Sequence, residues 1–361
     1  MKLKIKRMLI SASKPTVSVL IGISLAIALV KSFPNFFERL SLLSVAAAMP
    51  TESVNYALQS FYSPKEETQI TVQEIIPELE KDEPQSLPTQ TTPPQNAGKI
   101  SEYAYVPSKT SQKIIWYGGA AFSNTSKTSN AEILEILKQA PQISLKKDAP
   151  QVLIYHTHTT EAYESADLGY YDKNYSARSQ NQNENMIRVG EEIVNVLKEA
   201  GINVIHDKTV YDYPSYNGAY NRSAETVKKY LEKYPSITIT LDIHRDAIES
   251  DGARVKPTAE INGKKAAQVM IIAGVDDGTM NFPDWRKNMS FASALQRKME
   301  ESYSGLTRAV MVCHRRYNMY LTQNSLLVEV GGHANTLDEA VYSGELIGRS
   351  LVRVLKEYGT N

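Results

Sequence analysis

From residue 151 onward, short apolar runs alternate with stretches whose hydrophobic residues recur at helical spacing. Residues 151–155 (QVLIY) are an apolar run between Pro150 and His156, which predicts a short strand. Residues 185–200 put Met186, Ile187, Ile193, Val194 and Leu197 on one helical face and stop at Gly201, a residue suited to end a helix. A strand at 202–205, a helix around 224–233 and a strand at 237–243 (ITITLDI), β-branched at nearly every step, come next. The pattern finishes with a strand at 268–273, a helix at 288–303, strands at 309–313 and 325–330, and a helix at 337–357. Strands alternating with helices of this length predict an α/β fold, a mostly parallel twisted sheet with helices on both faces. In such sheets ligands gather at the carboxyl ends of the strands.

The first fifty residues follow a different pattern. Lys2, Lys4, Lys6, Arg7 and Lys14 precede an uncharged run at 17–30 (VSVLIGISLAIALV). A span needs about 20 apolar residues, and Pro15, Thr16 and a snorkelling Lys31 extend this shorter run. The small-residue stretch Ala46-Ala47-Ala48 lies too far beyond Val30 to serve as an ordinary signal-peptidase site. We read an uncleaved anchor, with the basic end in the cytoplasm and the rest of the chain outside. Residues 63–96 are rich in Pro, Glu, Gln and Thr and contain no aromatic residue, so they cannot bury enough surface to offset their ordering entropy. The organisation expected is a basic stub and membrane anchor over 1–50, an extended linker over 51–99 and a globular domain over 100–361.

Forty basic residues balance forty acidic ones, so the chain lacks the field that would draw it onto nucleic acid. Apolar residues make up 42%, enough for a sizeable core. Cys313 is the single cysteine, which excludes an internal disulfide and leaves His, Asp and Glu to hold any metal. There is no GxSxG elbow, no GxxxxGK[ST] loop, no GxGxxG and no HExxH.

The remaining chemistry lies at strand ends. His156 and His158 follow QVLIY, His244 follows ITITLDI, and Glu329 sits near the end of LLVEV before Gly331-Gly332-His333. A catalytic zinc takes three N or O ligands and leaves one position for water, whose pKa it lowers toward about 7. A separate carboxylate then serves as base and proton shuttle. Two histidines, one acidic ligand and one further Glu meet this list. His156 and His158 are two apart, so in a strand either would reach the metal. We expect His206 and His314 to be surface residues, and His333 either to touch substrate or to sit in a loop.

Three blocks, QVLIYHTHTTEAY from Gln151, LDIHRDA from Leu241 and LLVEVGGHANT from Leu326, resemble the signature blocks of the stage II sporulation protein P family, membrane-anchored cell-wall hydrolases of endospore formers. The domain is more distantly similar to zinc-dependent N-acetylmuramoyl-L-alanine amidases. The resemblance implies amidase and endopeptidase activity on peptidoglycan, Zn2+ as cofactor, action in engulfment and sporulation proteins D and M as partners. It also implies His158 as the first ligand, His244 as the second histidine and Glu329 as the catalytic base. The acidic ligand of the amidases falls at the start of the first helix after the histidine loop, which here selects Glu184, with Glu161 and Asp172 as alternatives. One departure stands out: the amidases carry glycines around their first histidine, where this chain has Thr157, Thr159 and Thr160.

Overall fold

A computed structural model describes residue 93 and residues 95–146 and 148–360. The apolar run at 17–30 and most of the linker lie outside the described residues. In chain order the elements are β1 (Ala97–Tyr103), β2 (Ile114–Tyr117), β3 (Ala120–Asn124), α1 (Asn130–Leu137), β4 (Ile143–Ser144), β5 (Val152–Tyr155), β6 (Tyr170–Asp172), α2 (Met186–Glu199), β7 (Val204–His206) and α3 (Ala219–Lys233). They continue with β8 (Ile239–Asp246), β9 (Glu249–Ser250), β10 (Ala253–Ile261), β11 (Lys264–Ala267), β12 (Val269–Gly274), α4 (Trp285–Ser302), β13 (Val310–Cys313), β14 (Ser325–Gly332), α5 (Leu337–Tyr358) and β15 (Gly359–Thr360).

The main sheet has the order β2-β3-β13-β12-β14-β8-β5-β7. Its pairs are parallel except β2–β3 at one edge and β12–β14 in the middle. The antiparallel seam has a functional consequence. Strands β14, β8, β5 and β7 run one way and β3, β13 and β12 the other, so the carboxyl ends of β5, β8 and β14 share a rim that the other three do not reach.

Alternation along the strands decides which face each side chain serves. In β8, Ile239, Leu241 and Ile243 belong to the main core, where Val189, Ile193 and Leu197 of α2 and Leu346, Ile347 and Leu351 of α5 cover the sheet. Leu153 and Tyr155 of β5 pack on the other face against Val227 of α3. Helices therefore cover both faces, as the sequence predicts. Each fully buried aliphatic side chain contributes about 1.5–3 kcal/mol relative to exposure.

A smaller sheet of order β11-β10-β1-β6 sits beside the main one. Strand β1 pairs in parallel with β10 and antiparallel with β6. It begins at Ala97, ahead of the boundary expected at residue 100. Among the described residues no helix is long and apolar enough to cross a membrane.

Candidate metal centre

Strand β5 ends at Tyr155, and the backbone from 157 to 160 turns back on itself, with Glu161 N–H donating to the His158 carbonyl at 3.1 Å. The three threonines explain how this loop is held without glycine. Thr157 donates its N–H and its hydroxyl to the two oxygens of Asp242, at 2.8 and 2.7 Å. The Thr159 hydroxyl lies 2.8 Å from the Thr209 carbonyl, and Thr160 donates its N–H and hydroxyl to Asp212. All three are buried.

The turn delivers His158 and Glu161 to the rim where β8 presents His244. Ligand atoms of His158, Glu161 and His244 lie within 4.8 Å of one another, and all three residues are buried. Glu161 stands between the rings: Oε1 is 3.4 Å from Nδ1 of His158 and Oε2 is 3.5 Å from Nδ1 of His244. Asp242 Oδ1 sits 2.9 Å from Nε2 of His244, off the axis of the ring N–H. That carboxylate acts on the imidazole through its charge, while Nδ1, on the side of Glu161, is the nitrogen placed for a metal. The backbone N–H of Arg245 donates to Glu161 Oε2 at 3.1 Å. The Arg245 guanidinium ties the carbonyls of Ala162 and Ala177 to the same place.

Glu329 stands directly beside His244 in the register of β14 on β8. The strand then bulges before Gly332, through Gly331 at φ +66°, a conformation that a side chain would strain and that brings Asn335 and Ala267 close. Oε2 of Glu329 is buried and has no hydrogen-bond partner among the described residues.

The charges of the centre pull against each other. Burial works against ionised Glu161, but His158, His244 and Arg245 outweigh it and hold its carboxyl well below the usual range. Burial likewise disfavours charged His244, and Asp242 and Glu161 overcome it, raising the imidazole well above its ordinary value. Burial pushes Glu329 up to about 8, Glu161 and Asp246 adding to the shift and His244 opposing it. A buried carboxylate, a half-buried one with an orphaned oxygen, and two imidazoles make a set that a divalent cation would neutralise, and its N/O donors suit zinc.

Glu184 is not part of this set. It precedes Asn185, the residue that caps α2, and its exposed carboxylate accepts from Ser179 at 2.9 Å and Asn181 at 2.8 Å. The helix start itself lies against the histidine loop, the Met186 N–H donating to the Glu161 carbonyl at 2.9 Å, but the Glu184 side chain is engaged by Ser179 and Asn181, and the carboxylate three residues after His158 is the one beside the two imidazoles. Asp172 is exposed at the end of β6, bonded to Asn96. His314 is exposed on the opposite rim after β13, as expected, and His333 is buried in the loop after β14 with Nε2 3.5 Å from Glu249.

His156 and His206 also depart from expectation. Because the strand ends before it, His156 loses the shared orientation with His158. It is fully buried, with Nδ1 3.0 Å from the Ile243 carbonyl and Nε2 2.9 Å from Nε2 of His206. The carbonyl can only accept, so Nδ1 of His156 donates and its Nε2 accepts from His206. A Cβ at residue 190 would stand 2.6 Å from both Nε2 atoms, which is why α2 carries Gly190 there. His206 is thus a partly buried partner rather than a surface residue.

Burial and the neighbouring His156 lower the pKa of His206 from 6.5 to about 2. The unfolded chain therefore takes up a proton near pH 6.5 that the folded chain refuses, so this contribution to stability is whole above that pH and is lost as the pH falls. Between pH 7 and pH 5 the loss should reach about 2 kcal/mol. It should appear as the difference in urea-unfolding free energy between wild type and His206→Gln across that range. Parallel pH profiles for the two proteins would contradict it.

Several residues of the centre carry no sequence signal of the kind used above. Asp242 reads as one more polar residue in a strand, and Asp212, which holds Thr160, lies in a segment without periodicity. Glu161 had one, the spacing of three from His158 that a tight turn makes local.

The profile of the family described as Stage II sporulation protein P (SpoIIP) matches residues 40–352. Stage II sporulation protein P of Bacillus subtilis is 31% identical over 229 residues, a match that covers 58% of this chain and spans 54%, about half, of that protein. Among solved structures, the N-acetylmuramoyl-L-alanine amidase AmiC2 of Nostoc punctiforme is 12% identical with a TM-score of 0.35, over 59% of this chain and 98% of that one. The CwlD amidase of Clostridioides difficile, solved in complex with the GerS lipoprotein, is 12% identical with a TM-score of 0.36, over 58% and 98%. With its family profile running through all three of the rim-forming strands β5, β8 and β14, the chain belongs to the Stage II sporulation protein P family.

Proposed function

We propose that this chain is a zinc-dependent peptidoglycan hydrolase of sporulation, an N-acetylmuramoyl-L-alanine amidase that also acts as an endopeptidase. The observation that carries this reading is the convergence of His158, Glu161 and His244 beside Glu329, a half-buried carboxylate whose buried Oε2 has no hydrogen-bond partner among the described residues. Family membership supports the substrate. The basic stub and apolar run of the N-terminal residues support a membrane anchor with the catalytic domain outside the cytoplasm, and sporulation proteins D and M are the partners we assign.

His158, Glu161 and His244 would hold the metal. A zinc ion bound there supplies a Lewis acid that polarises the scissile carbonyl and makes water a better nucleophile. Asp242 and Asp212 hold the threonine loop that places His158 and Glu161, so this part of the centre is preorganised by hydrogen bonds rather than by the metal alone. Glu329 takes the proton from the attacking water as the C–O bond forms, and returns it to the amine nitrogen as the C–N bond breaks. Its Oε2, buried and with no hydrogen-bond partner among the described residues, is free to take up that proton and to give it back.

The test is metal analysis and wall digestion on one preparation of the whole chain. Near-stoichiometric zinc and release of free amino groups from isolated peptidoglycan, abolished by chelation and restored by zinc, are the expected results. Wall left intact by zinc-loaded protein would remove the hydrolase reading.

A further inference from the structure

Two side chains outside the ligand set form one side of the centre. The ring of Tyr216 stacks on the imidazole of His158, with centroids 4.4 Å apart and planes 27° from parallel, yet 44% of Tyr216 remains exposed. The guanidinium of Arg178 lies over the Tyr216 ring, 5.0 Å from its centroid. Arg178 is itself anchored: Nη1 donates to Oδ2 of the buried Asp212 at 2.8 Å and to the Thr160 hydroxyl at 3.1 Å. Its Nη2 is 3.9 Å from Oε1 of Glu161, beyond hydrogen-bond length. Neither Nη2 nor Nε donates to any group among the described residues, and the side chain is 36% exposed.

An arginine held by one edge, with its other edge unclaimed, presents Nε–H and Nη2–H as a planar fork. That fork fits a carboxylate through two parallel hydrogen bonds. A neutral amide in the same place would accept fewer bonds and leave donors desolvated, and an ammonium group would be repelled. The fork is one side chain away from Glu161, so the carboxylate it takes belongs to a residue close to the scissile bond.

We propose that Arg178 and Tyr216 form a carboxylate-reading clamp at the mouth of the centre, which selects peptides with a free carboxylate a residue or two from the bond cut while Tyr216 supports their apolar atoms. The clamp rests on the hydrolase reading for its substrate, a stem peptide, and on geometry for its chemistry. The alternative is that Arg178 only ties its loop to Asp212.

Two probes decide between them: N-acetylmuramoyl dipeptides of L-alanyl-γ-linked glutamate, with the γ-carboxyl amidated in both, identical except that the α-carboxyl of the glutamate is free in one and amidated in the other. Binding is measured by calorimetry on the zinc-loaded full chain carrying Glu329→Gln, which prevents turnover. The free acid should bind about 10- to 100-fold more tightly, the range of a hydrogen bond to a charged group. Arg178→Gln should bring that ratio close to one. Arg178→Lys keeps the pairing with Asp212 but lacks the fork, and should lose the preference too, with zinc content and melting temperature near those of the parent. Tyr216→Ala should weaken both probes alike. A preference that survives in Arg178→Lys, or equal binding of the two probes by the parent, overturns the clamp. Turnover of the same probes by the wild type tests the hydrolase separately: if neither is cut, that reading falls, while the binding ratio still decides the clamp.

Discussion

Glu329→Gln should keep its zinc and its fold while losing about two to four orders of magnitude in turnover, the usual share of general acid–base catalysis. Gln has nearly the shape of Glu but cannot accept a proton, so the substitution isolates the proton transfer. The surroundings make the expectation sharp. Oε2 of Glu329 is buried without a partner, and burial has already raised the carboxyl to about 8. A purely structural role would require the carboxylate to hold the backbone of the turn that follows. That backbone is satisfied elsewhere: the Gly331 N–H donates to the Gln268 carbonyl at 2.9 Å and the Gly332 N–H to Asn335 Oδ1 at 2.9 Å. Replacing a carboxyl that bonds to no group among the described residues should leave the melting temperature nearly level. Zinc content, melting temperature and turnover measured together decide the matter. Near wild-type turnover would exclude the base role, and lost zinc would make Glu329 a ligand.

The second large effect concerns the acidic ligand. Glu161→Gln should lose bound zinc and with it wall digestion, whereas Glu184→Gln should keep both. Changes in groups behind a metal ligand typically cost about 10- to 100-fold in affinity, so loss of a ligand carboxylate should exceed about 100-fold. Glu161 is buried between Nδ1 of His158 and Nδ1 of His244 and accepts the Arg245 N–H. Glu184 is exposed and occupied with Ser179 and Asn181. His158→Ala and His244→Ala should behave as Glu161→Gln does. Zinc-to-protein ratios after dialysis against a weak chelator provide the measurement. Full zinc in Glu161→Gln together with loss in Glu184→Gln would return the ligand to the helix start.

The periodicity of the chain by itself determined the α/β architecture, because alternating apolar runs and amphipathic helices allow few other arrangements. It also determined that His158, His244 and Glu329 end on one rim. Each follows or closes a strand, and the parallel pairs β5–β8 and β8–β14 carry that linear fact directly into space. The small sheet was not legible in the same way. Strand β10 buries Lys256 and passes through Pro257 and Thr258, which mask its alternation, and Lys256 is tolerated inside because Glu339 and Asp167 lie 2.7 and 2.9 Å from its ammonium.

Only the tertiary structure decided which groups share the centre. The choice between His156 and His158 turns on where β5 ends, a matter of one residue that no propensity resolves. Glu161 reaches the centre through a turn fixed by Thr157 on Asp242 and Thr160 on Asp212, contacts spanning 85 and 52 positions in the chain. A carboxylate at a helix start looks equally suitable in sequence, and its orientation is set by the capping of α2 at Asn185, which directs it to Ser179 and Asn181. Strand ends are local properties and survive a linear reading. The convergence of a turn, a buried aspartate and an arginine from different segments depends on long-range hydrogen bonds, and those exist only once the chain is folded.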